Sequence, residues 1–379
     1  MIAAIRDQFN NNFSDKKYQS FLKDLNSKHP GAIEFRVAET PIFIPKDFTE
    51  KMINACEAIV DVITAPDFKA ITQRAIPLTE NVPGENDHTD FIAFDFGICE
   101  NEIGEMEPQL IEMQGFPTLF GFQVYYPKVL EKHFDIPGNF SHYLNGYDEA
   151  SYTAFLSEII LGGHQPENVI LLELKPHKQK TKIDFYCTQD YIPIPIVCLT
   201  ELKQEDKKLF YEKDGKKIEI KRIYNRIIFD ELLQIKDSLG DVVDITQPLD
   251  VEWAPHPNWF YRISKFTLPL IRHPYVPKTY YLNEVTQIPD DLENYVLKPL
   301  FSFAGQGVII DVNKEDINKV KDPENWILQR KVKYADVIKT RNTPAKAEIR
   351  IFYFWKKGAA RPIAVCNLAR LSKGKMIGV

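Results

Sequence analysis

The segment YVLKPLFSFAGQGVIIDV (295–312) holds the residues best suited to chemistry. Lys298 follows an apolar run, and seven residues later Gly305 and Gly307 flank Gln306 before a second apolar run begins. Two strands joined by such a loop can fold over a polyanion, backbone N–H groups meeting phosphate oxygens while the ammonium adds a point charge. The same residues also suit a surface hairpin whose glycines only supply positive φ. Neither GxxxxGK[ST] nor GxGxxG occurs, so the Walker and dinucleotide routes to a phosphate site are absent.

Acidic and cationic partners lie far from this segment along the chain. Asp95 stands in FIAFDFGI, and Glu112 and Gln114 stand in QLIEMQG. The last two are two apart, so on a strand their side chains share a face, and oxygen ligands of this kind suit Mg²⁺. They also fit as acids on the solvent face of an antiparallel pair. Their apolar flanks, however, imply buried strands, where a carboxylate is costly unless it meets a metal or a cation. Arg226, in IYNRIIFDEL, fits either a fork onto a substrate carboxylate or an ion pair with Asp230 or Glu231. Arg350, in EIRIF with Glu348 as an alternative partner, and Arg370, in NLARLSKGK, add further cations.

The elements that must position these groups can be read from periodicity. Residues 18–26 and 48–65 carry apolar residues at helical spacing, the second with Asp47 as N-cap and Glu50 three residues later. Residues 90–98 and 108–115 read as two strands joined by a hairpin-like loop. Strands at 168–174 and 194–202, with room for a helix between them, form a βαβ pattern and hence a parallel sheet. Asp214-Gly215 between alternating residues marks a hairpin. From about 251 the pattern is a helix (YRISKFTLPLI), strands at KTYYL and NYVLKPL, a glycine turn and a strand at VIIDV.

Composition narrows the classes. The 379 residues carry a formal charge of −6, with 44% hydrophobic and 26% charged residues, which excludes a mainly disordered chain and lacks the basic excess of a nucleic-acid binder. Five cysteines without CxxC spacing argue against a disulfide framework and a structural zinc, and fit a reducing cytoplasm. Eight histidines form no HxH or HExxH, and no serine sits in GxSxG. No stretch approaches the ~20 apolar residues of a membrane span. The expected partners are thus small molecules, with no nucleic acid and no membrane; oligomeric state is left open.

The ordered series Lys265 in FYRISKFTLPLI, PKTYYL, Lys298, AGQGV, WILQRKV and EIRIF resembles the nucleotide-binding region of the ATP-grasp superfamily. That resemblance implies ATP, with Lys265 and Lys298 on the α- and β-phosphates and the Gly305 to Gly307 loop over the triphosphate. It also implies Gln329, Lys331 and Val332 at the hinge that meets adenine. Upstream, FIAFDFGI and QLIEMQGFPTLFG are similar to motifs of glutathionylspermidine synthetases and eukaryotic-type glutathione synthetases, a circularly permuted branch. Carried across, the motifs make Asp95, Glu112 and Gln114 ligands of Mg²⁺, followed by Pro117 and Thr118, and bring Arg350 and Arg370 beside the γ-phosphate and the acceptor. Ala93 stands where the motif has Arg, and Gln114 where it has Asn.

The fold so implied is α/β, an ATP-grasp architecture with a Rossmann-like substrate domain. Residues 1–150 would supply helices and the metal-binding strand pair, 151–250 the substrate domain and 251–379 the nucleotide region. The activity implied is ADP-forming carboxylate–amine ligation through an acylphosphate, on small-molecule or peptide-like carboxylate and amine substrates. Two alternatives stand beside it: an ATP-binding protein that has lost ligase chemistry, as Ala93 would allow, and a phosphotransferase.

Overall fold

A computed structural model describes residues 1–229, 232, 235, 239–240, 242–301, 307–340, 343–374 and 377. Helices α1 (Ala3–Asn12), α2 (Asp15–Leu25), α3 (Lys46–Ile63) and α4 (Phe68–Ile71) lead into strands β1 (Phe91–Glu100) and β2 (Met106–Gln114). Then come α5 (Phe122–His133), α6 (Glu149–Leu161), β3 (Val169–Glu173), α7 (Lys182–Tyr191) and β4 (Ile196–Cys198). Short strands β5 (Lys203–Glu205), β6 (Lys208–Lys213), β7 (Lys216–Ile220), β8 (Arg222–Asn225) and β9 (Glu252–Ala254) follow. The last third holds α8 (Asn258–Arg262), β10 (Thr279–Tyr281), β11 (Tyr295–Pro299), α9 (Lys314–Lys319), β12 (Trp326–Arg330), β13 (Lys346–Phe354) and β14 (Ile363–Ser372).

One antiparallel sheet, in the order β14-β13-β1-β2, joins the first third of the chain to its last. Alternation along β1 gives this sheet two unlike faces. Ile92, Phe94, Phe96 and Ile98, with Ile349, Ile351 and Tyr353 of β13, bury against α3. The opposite face is divided along its length. Phe91, Ala93, Phe352 and Phe354 pack with Phe120, Tyr152 and Leu171, while beyond them Asp95, Glu348 and Arg350 continue the same face as buried charges.

The parallel sheet, β4-β3-β8-β9, matches the βαβ reading. Its second expected strand is only three residues long, because the Glu201 carboxylate accepts from the Cys198 N–H and turns the chain into a 3-10 segment. Its fourth strand, β9, lies at 252–254, just past the expected boundary near 250. The Asp214-Gly215 hairpin joins β6 to β7, with φ of 51° and 72° at the two turn residues, as a type I′ turn requires.

Other expectations need correction. Asp47 lies in the first turn of α3, behind Pro45 at the N-cap, where no side chain caps the helix. YRISKFTLPLI is not one helix: α8 ends at Arg262, and a 3-10 segment runs from Lys265 to Leu270. The break is set by β2, since the Gly115 N–H donates to the Ile263 carbonyl at 2.9 Å and holds Ile263 out of helical conformation. VIIDV is not a continuous strand; its described pairing with β11 is the Leu297–Ile309 bridge. All five cysteines are free and buried. Among the described residues no helix is long and apolar enough to cross a membrane.

The close approach at Gly115 is testable. A Cβ there would meet the Trp259 carbonyl oxygen at 2.8 Å and the Ile263 Cβ at 3.0 Å, whereas a Cβ at Gly138 would meet nothing within 4 Å. Gly115→Ala is expected to destabilise the protein by about 1–3 kcal/mol, the usual range for overpacking. Gly138→Ala should leave stability unchanged or slightly raised, and urea unfolding of both variants reads the difference.

Candidate active site

The charged half of the β14-β13-β1-β2 sheet is built from two neighbouring cross-strand rows. Glu112, Asp95 and Arg350 are aligned across β2, β1 and β13, and Gly97, Glu348 and Arg370 across β1, β13 and β14. Asp95 is 1% exposed. Its Oδ1 accepts from Arg350 Nε at 2.5 Å, and its Oδ2 accepts from Arg350 Nη2 and Arg370 Nη2, both at 2.5 Å. Burial pushes the Asp95 carboxyl up, but the two guanidinium groups outweigh it and hold the group below the usual carboxylate range. Both its oxygens accept from arginines, so in this structure the expected metal ligand Asp95 is the counter-ion of Arg350 and Arg370.

Glu348 is the second buried acid. It accepts from Arg370 Nη2 at 2.7 Å and from the Tyr334 hydroxyl. Burial raises its pKa to about 7 against the pull of Arg370. Gly97 makes this arrangement possible, because a Cβ there would lie 2.8 Å from the Tyr334 ring. Glu112 is more open, with its side chain 38% exposed and one oxygen 3.8 Å from Arg350 Nη2. Arg350 thus pairs with Asp95 and Glu112, leaving Glu348 to Arg370. Ala93 is buried among Phe91, Phe120 and Phe352; the cations of this sheet face come from β13 and β14.

Facing this floor is the β10-β12-β11 sheet. Lys298 on β11 donates to Gln329 Oε1 at 2.6 Å and to the Ile111 carbonyl, next to Glu112, at 3.4 Å. Burial lowers its pKa to about 8, with Lys265 also lowering it and Glu112 and Glu348 opposing. Gln329 on β12 is buried and passes its amide to Thr279 Oγ1 at 3.2 Å. Lys331 and Val332 follow at the end of β12, the Lys331 ammonium donating to the Glu293 carbonyl at 2.7 Å.

One cleft of roughly 2950 Å³ receives both walls. Glu112, Gln114, Lys265 and Lys298 line it, as do Gln329, Lys331, Val332, Arg350 and Arg370. Residues from the first and last thirds of the chain therefore meet around a single space. Gly307 stands beside it at φ 71° with Pro299 against it; Gly305 and Gln306 lie outside the described residues.

Arg226 also lines the cleft, from the end of the parallel sheet. Its ion-pair partner is Asp184 of α7, 3.4 Å away; Asp230 and Glu231 lie outside the described residues. Asp184 also accepts from the Phe122 N–H at 3.0 Å, so it fixes the start of α5 as well as the guanidinium. Arg226 Nε and Nη1, and Arg370 Nε, are buried N–H groups without a hydrogen-bond partner among the described residues. Buried donors of this kind lining a cleft fit an anionic ligand.

Sequence reasoning passed over Glu348 as a functional acid, and it passed over Tyr334 and Gly97. The alternation in EIRIF carries a signal for the first, since Glu348 and Arg350 share a face and Ile349 and Ile351 the other. Tyr334 carries no such signal, because its loop is placed by tertiary structure alone.

The double pairing of Asp95 generates a sharp expectation. Asp95→Asn leaves two guanidinium groups without their buried counter-charge and should cost about 3–5 kcal/mol of stability, measured by chemical denaturation. Glu112→Gln, at a half-exposed site, should cost less than about 1 kcal/mol.

Compared with known proteins, the chain matches no family model and no curated protein. Among solved structures it is similar to a glutathione synthetase-like effector (GSS30) from Globodera pallida in its apo form, with a TM-score of 0.60 over 96% of each chain at 12% sequence identity. At that identity the likeness is one of fold alone: the two chains share a mixed α/β architecture over nearly their whole length.

Proposed function

We propose that this protein is an ATP-dependent carboxylate–amine ligase of the circularly permuted ATP-grasp branch, releasing ADP. The observation that carries the reading is the meeting of Glu112 with Lys298, Lys265, Arg350 and Arg370 in one cleft, although they come from opposite thirds of the chain. The permuted order is supported by β1 and β2, which precede the Lys298 strand in sequence yet share a sheet with β13 and β14. In this reading residues 1–150 and 251–379 build the nucleotide and metal site, and 151–250 the Rossmann-like part that meets substrate.

The donor set fits a nucleotide triphosphate and a hard cation. Lys265 and Lys298 bind phosphate oxygens, and the polar and backbone groups around Gln329, Lys331 and Val332 receive the base. Glu112 and Gln114 would hold Mg²⁺, which would supply positive charge to the phosphate oxygens. A carboxylate resists attack by an amine because it is already anionic; phosphorylation to an acylphosphate gives it a leaving group that the amine displaces. Arg350 and Arg370 stabilise charge on the transferring phosphoryl group, held in position by Asp95. Arg226, held by Asp184 at the end of the parallel sheet, lines the cleft and orients the substrate carboxylate. No protein nucleophile is needed for this sequence of steps.

The decisive experiment measures ADP release with Mg-ATP across a panel of amino acids, peptides and polyamines. ADP release that requires both a carboxylate and an amine supports the ligase. Release that needs a single acceptor and leaves it phosphorylated would identify a phosphotransferase, and tight nucleotide binding without turnover a binding protein. Lys298→Ala should remove most of the thermal upshift given by Mg-ATP.

Nucleotide affinity should also depend on pH in a stated direction. A polyanion binds the ammonium form of Lys298, whose pKa burial holds at about 8. Affinity should therefore fall as pH rises through about 8, by up to about tenfold per pH unit for one linked proton. Lys298→Arg, which stays charged, should flatten that dependence in a titration calorimetry series.

A further inference from the structure

Toward the C-terminal end of α7, past Arg226's partner Asp184, three side chains with metal-binding atoms converge although sequence spacing gave no sign of it. Cys187 and Asp190 stand three apart in the last turns of α7, a spacing that puts both on one helix face. His29 reaches them from the segment after α2. One ring nitrogen of His29, the Cys187 Sγ and a carboxylate oxygen of Asp190 all lie within 4.8 Å of one another. None of the three lines the large cleft.

The structure shows what holds this cluster without a metal. His29 Nε2 lies 2.7 Å from Asp190 Oδ2, and the Lys28 ammonium lies 2.8 Å from the same oxygen. Lys28 also sits 5.8 Å from the ring centroids of Tyr125 and Tyr191. A cation therefore already occupies the place beside Asp190, and its side chain is 43% exposed, free to turn into solvent. Cys187 is fully buried beneath, while His29 and Asp190 reach solvent and leave an open side.

We propose that His29, Cys187 and Asp190 form a zinc site that pins the α2 end of the helical region to α7. A mixed sulfur, nitrogen and oxygen set suits Zn²⁺ and not the hard cations that oxygen-only sites take. Bond lengths of about 2.0–2.3 Å to a tetrahedral ion bring ligand atoms to roughly 3.3–3.8 Å of one another. From their present positions His29 Nε2 and Asp190 Oδ2, 2.7 Å apart, open slightly to take an ion between them, while Cys187 Sγ, within 4.8 Å of both residues' ligand atoms, closes on it. On binding, Cys187 coordinates as thiolate with its proton passing to solvent, Lys28 leaves Asp190 for water, and the fourth position falls to solvent. The site is independent of the ligase reading, since its ligands lie outside the cleft.

The test uses the full chain stripped with a chelator and titrated with Co²⁺, then with Zn²⁺. The expected result is one ion per chain, a thiolate-to-cobalt charge-transfer band, displacement of that band by Zn²⁺, and a thermal upshift. Cys187→Ser should abolish the band. His29→Ala, at a ligand that is only partly buried, should weaken binding at least as much as the roughly tenfold lost when an outer-shell partner of a metal is removed, and it guards against misfolding of the buried cysteine variant. Lys28→Met, which removes the competing cation, should tighten binding. No stoichiometric ion, a band that survives Cys187→Ser, or an affinity unchanged in both His29→Ala and Lys28→Met would overturn the proposal.

Discussion

Two guanidinium groups bear on the single buried carboxylate of Asp95, and the rest of the cleft depends on that arrangement. A carboxylate this deep would be strongly disfavoured alone, and the arginines would be so without it. Counting Glu112 and Glu348, which these arginines also meet, two cations on this wall face three carboxylates, and a surplus of positive charge arises only with the lysines opposite. With Lys298 and Lys265 on the opposite wall, that surplus makes the space between the sheets attractive to a polyanion. Glu112 and Glu348 temper it, and Tyr334 and Arg370 keep Glu348 from standing unsolvated.

The sheet carrying these charges achieves two ends with one alternation. One face is apolar throughout and rests on α3. The other changes character between Ala93 and Asp95, from aromatic packing to ion pairs, within a single step along the strand. An arginine at 93 would thrust its charge among Phe91, Phe120 and Phe352. Ala93 thus belongs to the packing half, and the cations of the charged half come from β13 and β14. The rigid aromatic half anchors the charged half, which a surface sheet could not hold so firmly.

Much of this was legible in the sequence, for physical reasons that differ by element. The alternating runs of β1, β2, β13 and the Asp214-Gly215 turn are local signals, and each appears in the structure near its expected place. The helix expected at 261–271 was misread because its break is imposed from outside, by the hydrogen bond from Gly115 to Ile263. Asp184, the partner of Arg226, was illegible for a similar reason: it is remote in sequence and near only through the βαβ crossover. Asp95 was legible as a buried acid that must have a partner, but composition alone does not tell a metal from two arginines. His29 and Cys187 were invisible as a pair, because 158 residues separate what one fold brings within reach.

The length of chain between the two halves of the main sheet carries a consequence for biosynthesis. Asp95 and Arg350 are 255 residues apart, so a ribosome finishes the β1-β2 ribbon long before it makes the strands that flank it. During that interval the nascent ribbon displays an apolar face and an unpaired hydrogen-bonding edge, the features that invite aggregation. Closure of the sheet is a late, long-range event with a large loop entropy to overcome. An interrupted translation product ending before residue 346 would lack both arginines and present an acid with no counter-charge, a molecule that quality-control proteases should remove.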